Sequence, residues 1–189
     1  MFTYEIEPNL SLKLLEVRDA ERVFELIQSS RDYLREWLPW VDFTKEEQDT
    51  KAFIQSCLQA YIDNKGLHTA IVFHNEIVGL VSFNTIDHRN KSAQIGYWLG
   101  EGYQGHGIMT KVTQALIDYA IGEWKLNRIE IRAGIDNHKS RAIPKRLGFT
   151  YEGTSRQAEW VNDHFVDHAV YSMLADKWNT LQEVAEQKI

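Results

Sequence analysis

A glycine-rich stretch between two regular elements carries the strongest chemical signal in the sequence. Four glycines fall within eight residues of the segment Leu99-Gly100-Glu101-Gly102-Tyr103-Gln104-Gly105-His106-Gly107-Ile108-Met109-Thr110. Glycines let a backbone turn tightly and approach a ligand without a Cβ in the way. The helix that follows presents free N–H groups and a positive dipole end to that ligand. The stretch predicts a pyrophosphate site, although a loop that only turns the chain would also be rich in glycine.

A second segment, residues 137–149, follows about 30 residues later, with one predicted strand between the two. Its first residue, Asn137, is a good N-cap for a short helix, and Gly148 suits the position after the helix end. Helix capping alone would explain both residues. Gly100, Gly102 and Gly105 have the spacing GxGxxG, which is a weak signal by itself, and the stretch lacks the P-loop pattern Gly-Lys-Ser/Thr. The stretch alone therefore does not identify the class of phosphate site.

Together the two segments resemble the GNAT (GCN5-related N-acetyltransferase) family. Gln104-Gly105-His106-Gly107-Ile108-Met109 is similar to the acetyl-CoA motif Gln/Arg-x-x-Gly-x-Gly/Ala, and residues 137–149 are similar to a helix that an Asn opens and Leu-Gly-Phe closes. Met109 departs from the small residue of the motif, and His106 stands where Lys or Arg is common. The resemblance implies a mixed α/β (α+β) GNAT fold, with a central, mostly antiparallel twisted sheet flanked by helices.

The same resemblance implies acetyl-CoA as co-substrate, and from the residues themselves no metal is expected. The expected acetyl-CoA-binding residues are Trp98, Leu99, Gly100, Gln104, Gly105, His106, Gly107, Ile108, Met109, Thr110 and Asn137. His164 and His168 lie four apart in a predicted strand without a Cys/His/Asp cluster nearby, which does not favour zinc.

Residues 149–159 narrow the resemblance to the Rim-type ribosomal-protein N-terminal acetyltransferases, in particular the ribosomal-protein-serine type. It implies Glu159 as the catalytic base and Ser140 as the acid. Pro144 stands where many GNAT enzymes carry a Tyr that protonates the departing thiolate. Taken alone, Glu159 is explained as a solvated strand residue and Ser140 as a serine in the first turn of a helix.

The chemistry agrees with these roles. An amine attacks a thioester only when it is neutral, so a base must remove its proton. The oxyanion of the tetrahedral intermediate needs an N–H donor, and the strand end at residues 98–100 is the natural supplier. No covalent enzyme intermediate is required. Cys57 lies in a predicted amphipathic helix and is expected in the core rather than at a reactive site.

The expected acceptor is a primary amine, in particular the N-terminal amine of a ribosomal or other protein. Two alternatives stay open: a small-molecule acetyltransferase for polyamines or aminoglycosides, and a non-catalytic CoA-binding sensor. The presence of both Ser140 and Glu159 argues against the sensor. Trp37 and Trp40 flank Pro39, and such residues either pack in the core or form a wall of the acceptor site.

Composition sets outer bounds on these interpretations. The 189 residues carry a net charge of −6, which favours basic partners over direct contact with nucleic acid. One domain over residues 1–189 is expected, without a signal peptide, membrane segment or disulfide, in the cytoplasm. Six Trp within 12% aromatic residues allow an apolar contact surface, so a homo-oligomer, as in the Rim group, is expected.

The periodicity of apolar residues predicts the strands and helices that must position the candidate site residues. Asp19 is predicted to cap the first helix, and the turn His74-Asn75-Glu76 is predicted to join a hairpin. The predicted strands are residues 10–15, 69–73, 77–83, 92–99, 128–135, 149–161 and 165–174. The predicted helices begin after Asp19 and at Asn137 and cover residues 44–64, 108–124 and 176–187.

Overall fold

Strands and helices alternate in a computed structural model that describes residues 3–186. The strands of this part of the chain are β1 Thr3–Glu7, β2 Leu10–Leu14, β3 Leu67–Phe73, β4 Glu76–Asp87, β5 Ser92–Leu99, β6 Arg128–Gly134, β7 Thr150–Val161 and β8 His164–Leu174. The α-helices are α1 Ala20–Ser29, α2 Arg31–Arg35, α3 Glu47–Ile62, α4 Ile108–Gly122, α5 His138–Arg146 and α6 Ala175–Glu186. None of these helices is long and apolar enough to cross a membrane.

The strands form one twisted sheet in the order β1-β2-β3-β4-β5-β6-β8-β7. Every neighbouring pair is antiparallel except β5 and β6, which α4 connects as a parallel pair. That pair holds from Ser92 opposite Arg128 only as far as Ile95 opposite Ile131. Beyond this point β5 and β6 separate, so the sheet has a cleft between them. The predicted mixed α/β class with a mostly antiparallel sheet is confirmed.

Helices cover both faces of the sheet and bury a separate core on each. On one face Ile117 of α4, Ile143 of α5 and Trp178 of α6 belong to the larger core. On the other face Val23 of α1 and Ile54 of α3 belong to the smaller one. Because side chains alternate along a strand, β5 contributes to both cores. The cleft therefore connects two faces of the sheet, each of which has its own core and its own covering helices.

Local chemistry accounts for most of the element boundaries. His74 and Asn75 adopt φ of 49° and 66°, which suits the tight hairpin between β3 and β4. Gly148 adopts φ of 78° just after α5, as the αL end of a helix requires. Cys57 is buried, as expected, and burial raises the pKa of its thiol to about 12.

Two details differ from the prediction. Strand β1 was not predicted, because its sequence is mostly polar and it lies exposed at the sheet edge. The predicted cap by Asp19 is wrong for its side chain, which makes no capping hydrogen bond to α1. The carboxylate instead accepts hydrogen bonds from Lys13 Nζ at 2.6 Å and from the Glu16 N–H at 2.9 Å. The last residue of the predicted C-terminal helix, Gln187, lies outside the described residues.

Candidate active site

The cleft between β5 and β6 exposes part of the β5 backbone. The Gly100 N–H donates to the Val78 carbonyl of β4 at 2.8 Å. Backbone groups of an antiparallel pair alternate in direction, so the N–H groups of Tyr97 and Leu99 face away from β4. No strand of the described chain pairs with them there, because β6 has already diverged. The cleft thus contains the N–H donors that a polar ligand or an oxyanion requires.

The glycine-rich loop lies at the N-terminus of α4, on one side of this cleft. Gly105 and Gly107 adopt φ of 83° and 74°, and a Cβ built on either has no described atom within 4 Å. The first helical hydrogen bond runs from the Lys111 N–H to the Gly107 carbonyl at 3.2 Å. The N–H groups before it have no helical partner, as at any helix start. An open cradle of this kind fits a pyrophosphate.

A cavity of about 790 Å³, here called the glycine-loop cavity, lies beside this helix start. Three basic side chains border it and suit phosphate: Lys111, Lys139 and Arg146. Lys139 donates to Gln104 at 2.9 Å, and Arg146 donates to Thr110 at 3.1 Å. Nine of the predicted acetyl-CoA-binding residues line this cavity: Trp98, Leu99, Gln104, Gly105, Gly107, Ile108, Met109, Thr110 and Asn137.

The structure does not place Gly100 and His106 on the glycine-loop cavity. Gly100 is a packing glycine, because a Cβ there would lie 2.6 Å from Leu26 Cδ1. The His106 side chain is exposed, with its ring centroid 6.2 Å from that of Phe73. The family resemblance placed His106 in the acetyl-CoA motif and Gly100 at the strand end before it, but the direction of each residue depends on the turn of the loop.

A second cavity of about 620 Å³, here called the aromatic cavity, lies on the face covered by α1 to α3. Its aromatic walls come from the segment between α2 and α3, from α3 and from β5: Trp37, Trp40, Phe43, Phe53 and Trp98. Trp40 and Trp98 pack with ring centroids 5.9 Å apart. Trp37 and Trp40, the two tryptophans that the sequence singled out, therefore both line this cavity, and Trp40 also packs against Trp98.

The two cavities meet at the cleft. Six residues, here called the junction, line both cavities: Trp37, Leu38, Tyr97, Trp98, Asn137 and Ser140. A ligand in the glycine-loop cavity and a ligand in the aromatic cavity can therefore reach one another through the sheet. A reaction between two substrates held on opposite faces is what this arrangement permits.

Asn137 and Ser140 reach the junction through the first turn of α5. The Asn137 side chain accepts the Ser140 N–H at 3.0 Å, so the predicted N-cap is present. Pro144 has no N–H to give the Ser140 carbonyl. The Tyr97 phenol donates to that carbonyl at 3.0 Å instead, and the Ser140 hydroxyl lies 3.5 Å from the same phenol oxygen. Burial raises the pKa of Tyr97, which keeps the phenol protonated at neutral pH.

Glu159 reaches the aromatic cavity through an irregularity in β7. Ser155 lies opposite His168 and Glu159 opposite Val166, so β7 holds two extra residues between these pairs. Such bulges re-aim the side chains beside them. Glu159 Oε2 lies 3.2 Å from His168 Nε2, and both side chains line the aromatic cavity. The Glu159 side chain keeps 39% of its surface exposed, and His168 keeps 17%.

His168 and Tyr97 are the site residues that the sequence reasoning missed. His168 was considered only as a zinc ligand, and residues 3–186 contain no group of three or more His, Cys, Asp or Glu side chains that could hold a metal. Its contact with Glu159 depends on the strand register, which the bulge shifts. The signal for Tyr97 was Pro144, whose missing N–H implies another donor for the Ser140 carbonyl.

Glu152, the nearest other carboxylate in the same strand, belongs to a different contact. Its oxygens accept from Arg128 at 2.6 and 2.7 Å and from the Ser172 hydroxyl at 2.6 Å. These bonds lower the pKa of Glu152 to about 2. Glu152 does not line either cavity, so it is not a candidate base.

Comparison with known proteins decides the family. The family model for the acetyltransferase (GNAT) domain matches residues 9–150, about three quarters of the chain. The chain belongs to the GNAT acetyltransferases. The predicted family and fold are confirmed, and acetyl-CoA is the co-substrate of this enzyme. The glycine-loop cavity, with its open helix start, fits this co-substrate.

Individual relatives of this GNAT enzyme include ribosomal-protein acetyltransferases. The ribosomal-protein-serine acetyltransferase of Escherichia coli (strain K12) is 32% identical over 174 residues, covering 92% of this chain and 97% of that protein. A structure of RimL, a ribosomal L7/L12 alpha-N-protein acetyltransferase in complex with coenzyme A, aligns with a TM-score of 0.89. The identity is 30%, and the alignment covers 93% of this chain and 99% of RimL. The predicted resemblance to Rim-type enzymes is confirmed.

Another similar structure is the microcin C7 self-immunity acetyltransferase MccE in complex with acetyl-CoA and AMP. It is 34% identical, with a TM-score of 0.86, and covers 89% of this chain and 94% of that chain. The GNAT enzyme described here is therefore similar both to acetyltransferases named for ribosomal proteins and to one solved with a nucleotide. All of these proteins are N-acetyltransferases or acetyltransferases by name, and this chain is an acetyl-CoA-dependent N-acetyltransferase.

Proposed function

We propose that this enzyme acetylates the N-terminal amine of a protein, with ribosomal proteins as the first acceptors to test. The observation that carries this proposal is the partly exposed Glu159 carboxylate in a cavity that opens onto the junction. A carboxylate there attracts the ammonium form of an amine and removes its proton. The named ribosomal-protein acetyltransferases among the relatives supply the acceptor class.

In the proposed mechanism acetyl-CoA occupies the glycine-loop cavity, with its pyrophosphate at the start of α4 and its thioester toward the junction. Its partners are the predicted residues lining that cavity, with Lys111, Lys139 and Arg146 as the cations for its phosphates. Backbone amides, which need no particular side chain, bind the pyrophosphate. The N–H of Leu99 is the proposed donor to the oxyanion.

The proposed acetyl transfer consists of attack by the amine on the thioester, followed by departure of the thiolate. Glu159 accepts a proton from the acceptor ammonium, and the neutral amine attacks the thioester carbon. The C–S bond then breaks as Ser140 gives its proton to the departing thiolate. The extra proton of the acetylated nitrogen passes to the Ser140 oxygen, and Glu159 releases its proton to solvent, so both groups return to their starting states. His168 holds the Glu159 carboxylate at 3.2 Å and keeps it on the cavity side of β7. No residue becomes acetylated in this sequence.

A second candidate acceptor is a small amine that carries a planar ring. The aromatic walls suit stacking on such a ring, and the similar MccE structure contains AMP. The cavity suits polyamines less well, because within residues 3–186 it is lined by only two carboxylates, Asp49 and Glu159, and also by the cationic Arg132. The Asp49 carboxylate already accepts the backbone N–H groups of Lys45 and Glu46.

The test combines two measurements on the whole enzyme. Calorimetric titration with CoA is expected to give micromolar-range binding. A transfer assay, read as free CoA thiol, is then run with peptides that match ribosomal-protein N-termini, with aminoacyl-nucleotide analogues and with polyamines. Peptides with a free N-terminus are expected to give the highest kcat/KM. Binding of CoA combined with transfer only to polyamines would reject the proposed acceptor class.

We also propose that the enzyme is cytoplasmic, a single domain over residues 1–189, and self-associating. The exposed rings of Trp160 and Phe165, with centroids 4.8 Å apart near the β7–β8 turn, supply an apolar contact surface of the kind that interfaces use. Sedimentation at micromolar concentration is expected to give a mass above the 22.0 kDa of one chain. A mass of one chain at that concentration would reject self-association.

A further inference from the structure

We propose that Tyr97 is a positioning residue for acetyl transfer, acting through Ser140. The proposal rests on the proposed role of Ser140 as the acid. It goes further in assigning a function to a residue of β5 that belongs to no GNAT motif in the sequence. The argument starts from a hydrogen bond that α5 cannot make.

In an α-helix the carbonyl of one residue accepts the N–H of the residue four positions later. For Ser140 that residue is Pro144, which has no N–H. The Ser140 carbonyl is therefore left without its helical partner, in a part of the junction that is only partly exposed. A partly buried carbonyl in this state destabilises the helix turn unless another donor is present.

Tyr97 supplies that donor from across the cleft. Its phenol O–H donates to the Ser140 carbonyl at 3.0 Å, close to the usual distance for such a bond. The Ser140 hydroxyl lies 3.5 Å from the same phenol oxygen and donates to it. One phenol thus contacts both the backbone and the side chain of the proposed acid.

This contact links the two walls of the cleft where β5 and β6 no longer pair. The rest of α5 is held from the other side, because the Arg141 guanidinium donates to the Tyr171 phenol at 3.1 Å and to the Ile135 carbonyl. Arg141 fixes α5 to β8 and to the loop between β6 and α5. Tyr97 fixes Ser140 to β5. Removing the Tyr97 hydroxyl leaves the helix attached but frees the first turn that carries Ser140.

The experiment is a double-mutant cycle with Tyr97→Phe and Pro144→Ala. An alanine at position 144 has an N–H that can donate to the Ser140 carbonyl, so it replaces the function of the phenol. In the natural background we expect Tyr97→Phe to lower kcat by roughly ten- to a hundredfold, with a smaller change in KM. In the Pro144→Ala background the loss is expected to shrink to roughly threefold or less.

Two further measurements test the role of Tyr97 without depending on the proposed acceptor. The Tm of all four proteins is measured without substrate, and the slow hydrolysis of acetyl-CoA is measured without an acceptor amine. Tyr97→Phe is expected to lower the Tm by roughly 2–10 °C in the natural background, and by less beside Pro144→Ala. The control is Tyr119→Phe, a partly buried tyrosine of α4 that packs on Trp124 and lines neither cavity.

Three results would overturn the proposal. The first is an equal loss of kcat in both backgrounds, which would mean that the phenol acts on substrate rather than through Ser140. The second is an unchanged kcat for Tyr97→Phe. The third is recovery of the Tm by Pro144→Ala without recovery of kcat, because the loss of kcat would then not come from the lost hydrogen bond to the Ser140 carbonyl. Failure to find an acceptor would count against the proposed function alone.

Discussion

Glu159→Gln is expected to lower kcat/KM for an amine acceptor by about 10²–10⁴-fold at neutral pH. The amide keeps the size and hydrogen-bonding capacity of the side chain but cannot take a proton, and general base catalysis is typically of this magnitude. The loss should shrink as the pH rises through about 8, the usual range of an α-amino group, because the acceptor is then already neutral. Steady-state kinetics between pH 6.5 and 9 measures this.

The matched control is Glu152→Gln, which makes the same chemical change in the same strand. Because Glu152 is bound to Arg128 and Ser172, its replacement should lower stability without a pH-dependent loss of kcat/KM. Ser140→Ala is expected to lower kcat, and its effect combined with Glu159→Gln should be less than additive if both groups act on one tetrahedral intermediate. Full activity of Glu159→Gln at neutral pH would show that the base lies elsewhere.

Lys13→Met is expected to lower the free energy of unfolding by about 3–5 kcal/mol, the usual consequence of leaving one charge of a buried pair alone. Lys13 Nζ lies 2.6 Å from the Asp19 carboxylate, and the two side chains are 4% and 9% exposed. The pair joins β2 to the segment that begins α1, so its loss affects the face that carries the aromatic cavity. Urea denaturation followed by circular dichroism measures the change.

An exposed pair provides the comparison. Arg35 and Asp42 lie 2.8 Å apart with side chains 45% and 42% exposed, and solvent screens such a pair so that it contributes little to stability. Asp42→Asn should therefore have a small effect. Replacing both buried partners, as in Lys13→Met with Asp19→Leu, should recover part of the stability. The recovery is incomplete, because Asp19 also accepts the Glu16 N–H. A loss below 1 kcal/mol for Lys13→Met would contradict the expectation.

Local features of the fold could be predicted because they depend on neighbouring residues. Asn137 at the start of α5, Gly148 after its end and the His74-Asn75 hairpin turn all follow from the conformations that these residue types prefer. The glycine-rich loop was predicted in the same way, because glycine readily adopts the positive φ that Gly105 and Gly107 have in the structure. Strand β1 was missed, because its five residues contain only two apolar ones, Tyr4 and Ile6, and so short an alternation is a weak signal.

The site was predicted in part, because some of its contacts join segments that are distant in sequence. Ser140 and Glu159 were found by resemblance to Rim-type enzymes, and both line the aromatic cavity. Tyr97 and His168 are brought to the site by contacts between distant segments. The first depends on where β5 and β6 separate, and the second on two extra residues in β7. Strand register and bulges arise from the whole sheet, so neither contact could be obtained from spacing along the chain.

The cleft between β5 and β6 also affects how such an enzyme can diversify. In the proposed function the acetyl donor and the acceptor occupy separate cavities, and among residues 3–186 the six residues of the junction line both. Substitutions on the aromatic side can alter which amine is accepted while the donor loop keeps its sequence and its open helix start. The family match ends at residue 150, where β7 begins. Glu159 and His168 therefore lie beyond the residues that this family model matches.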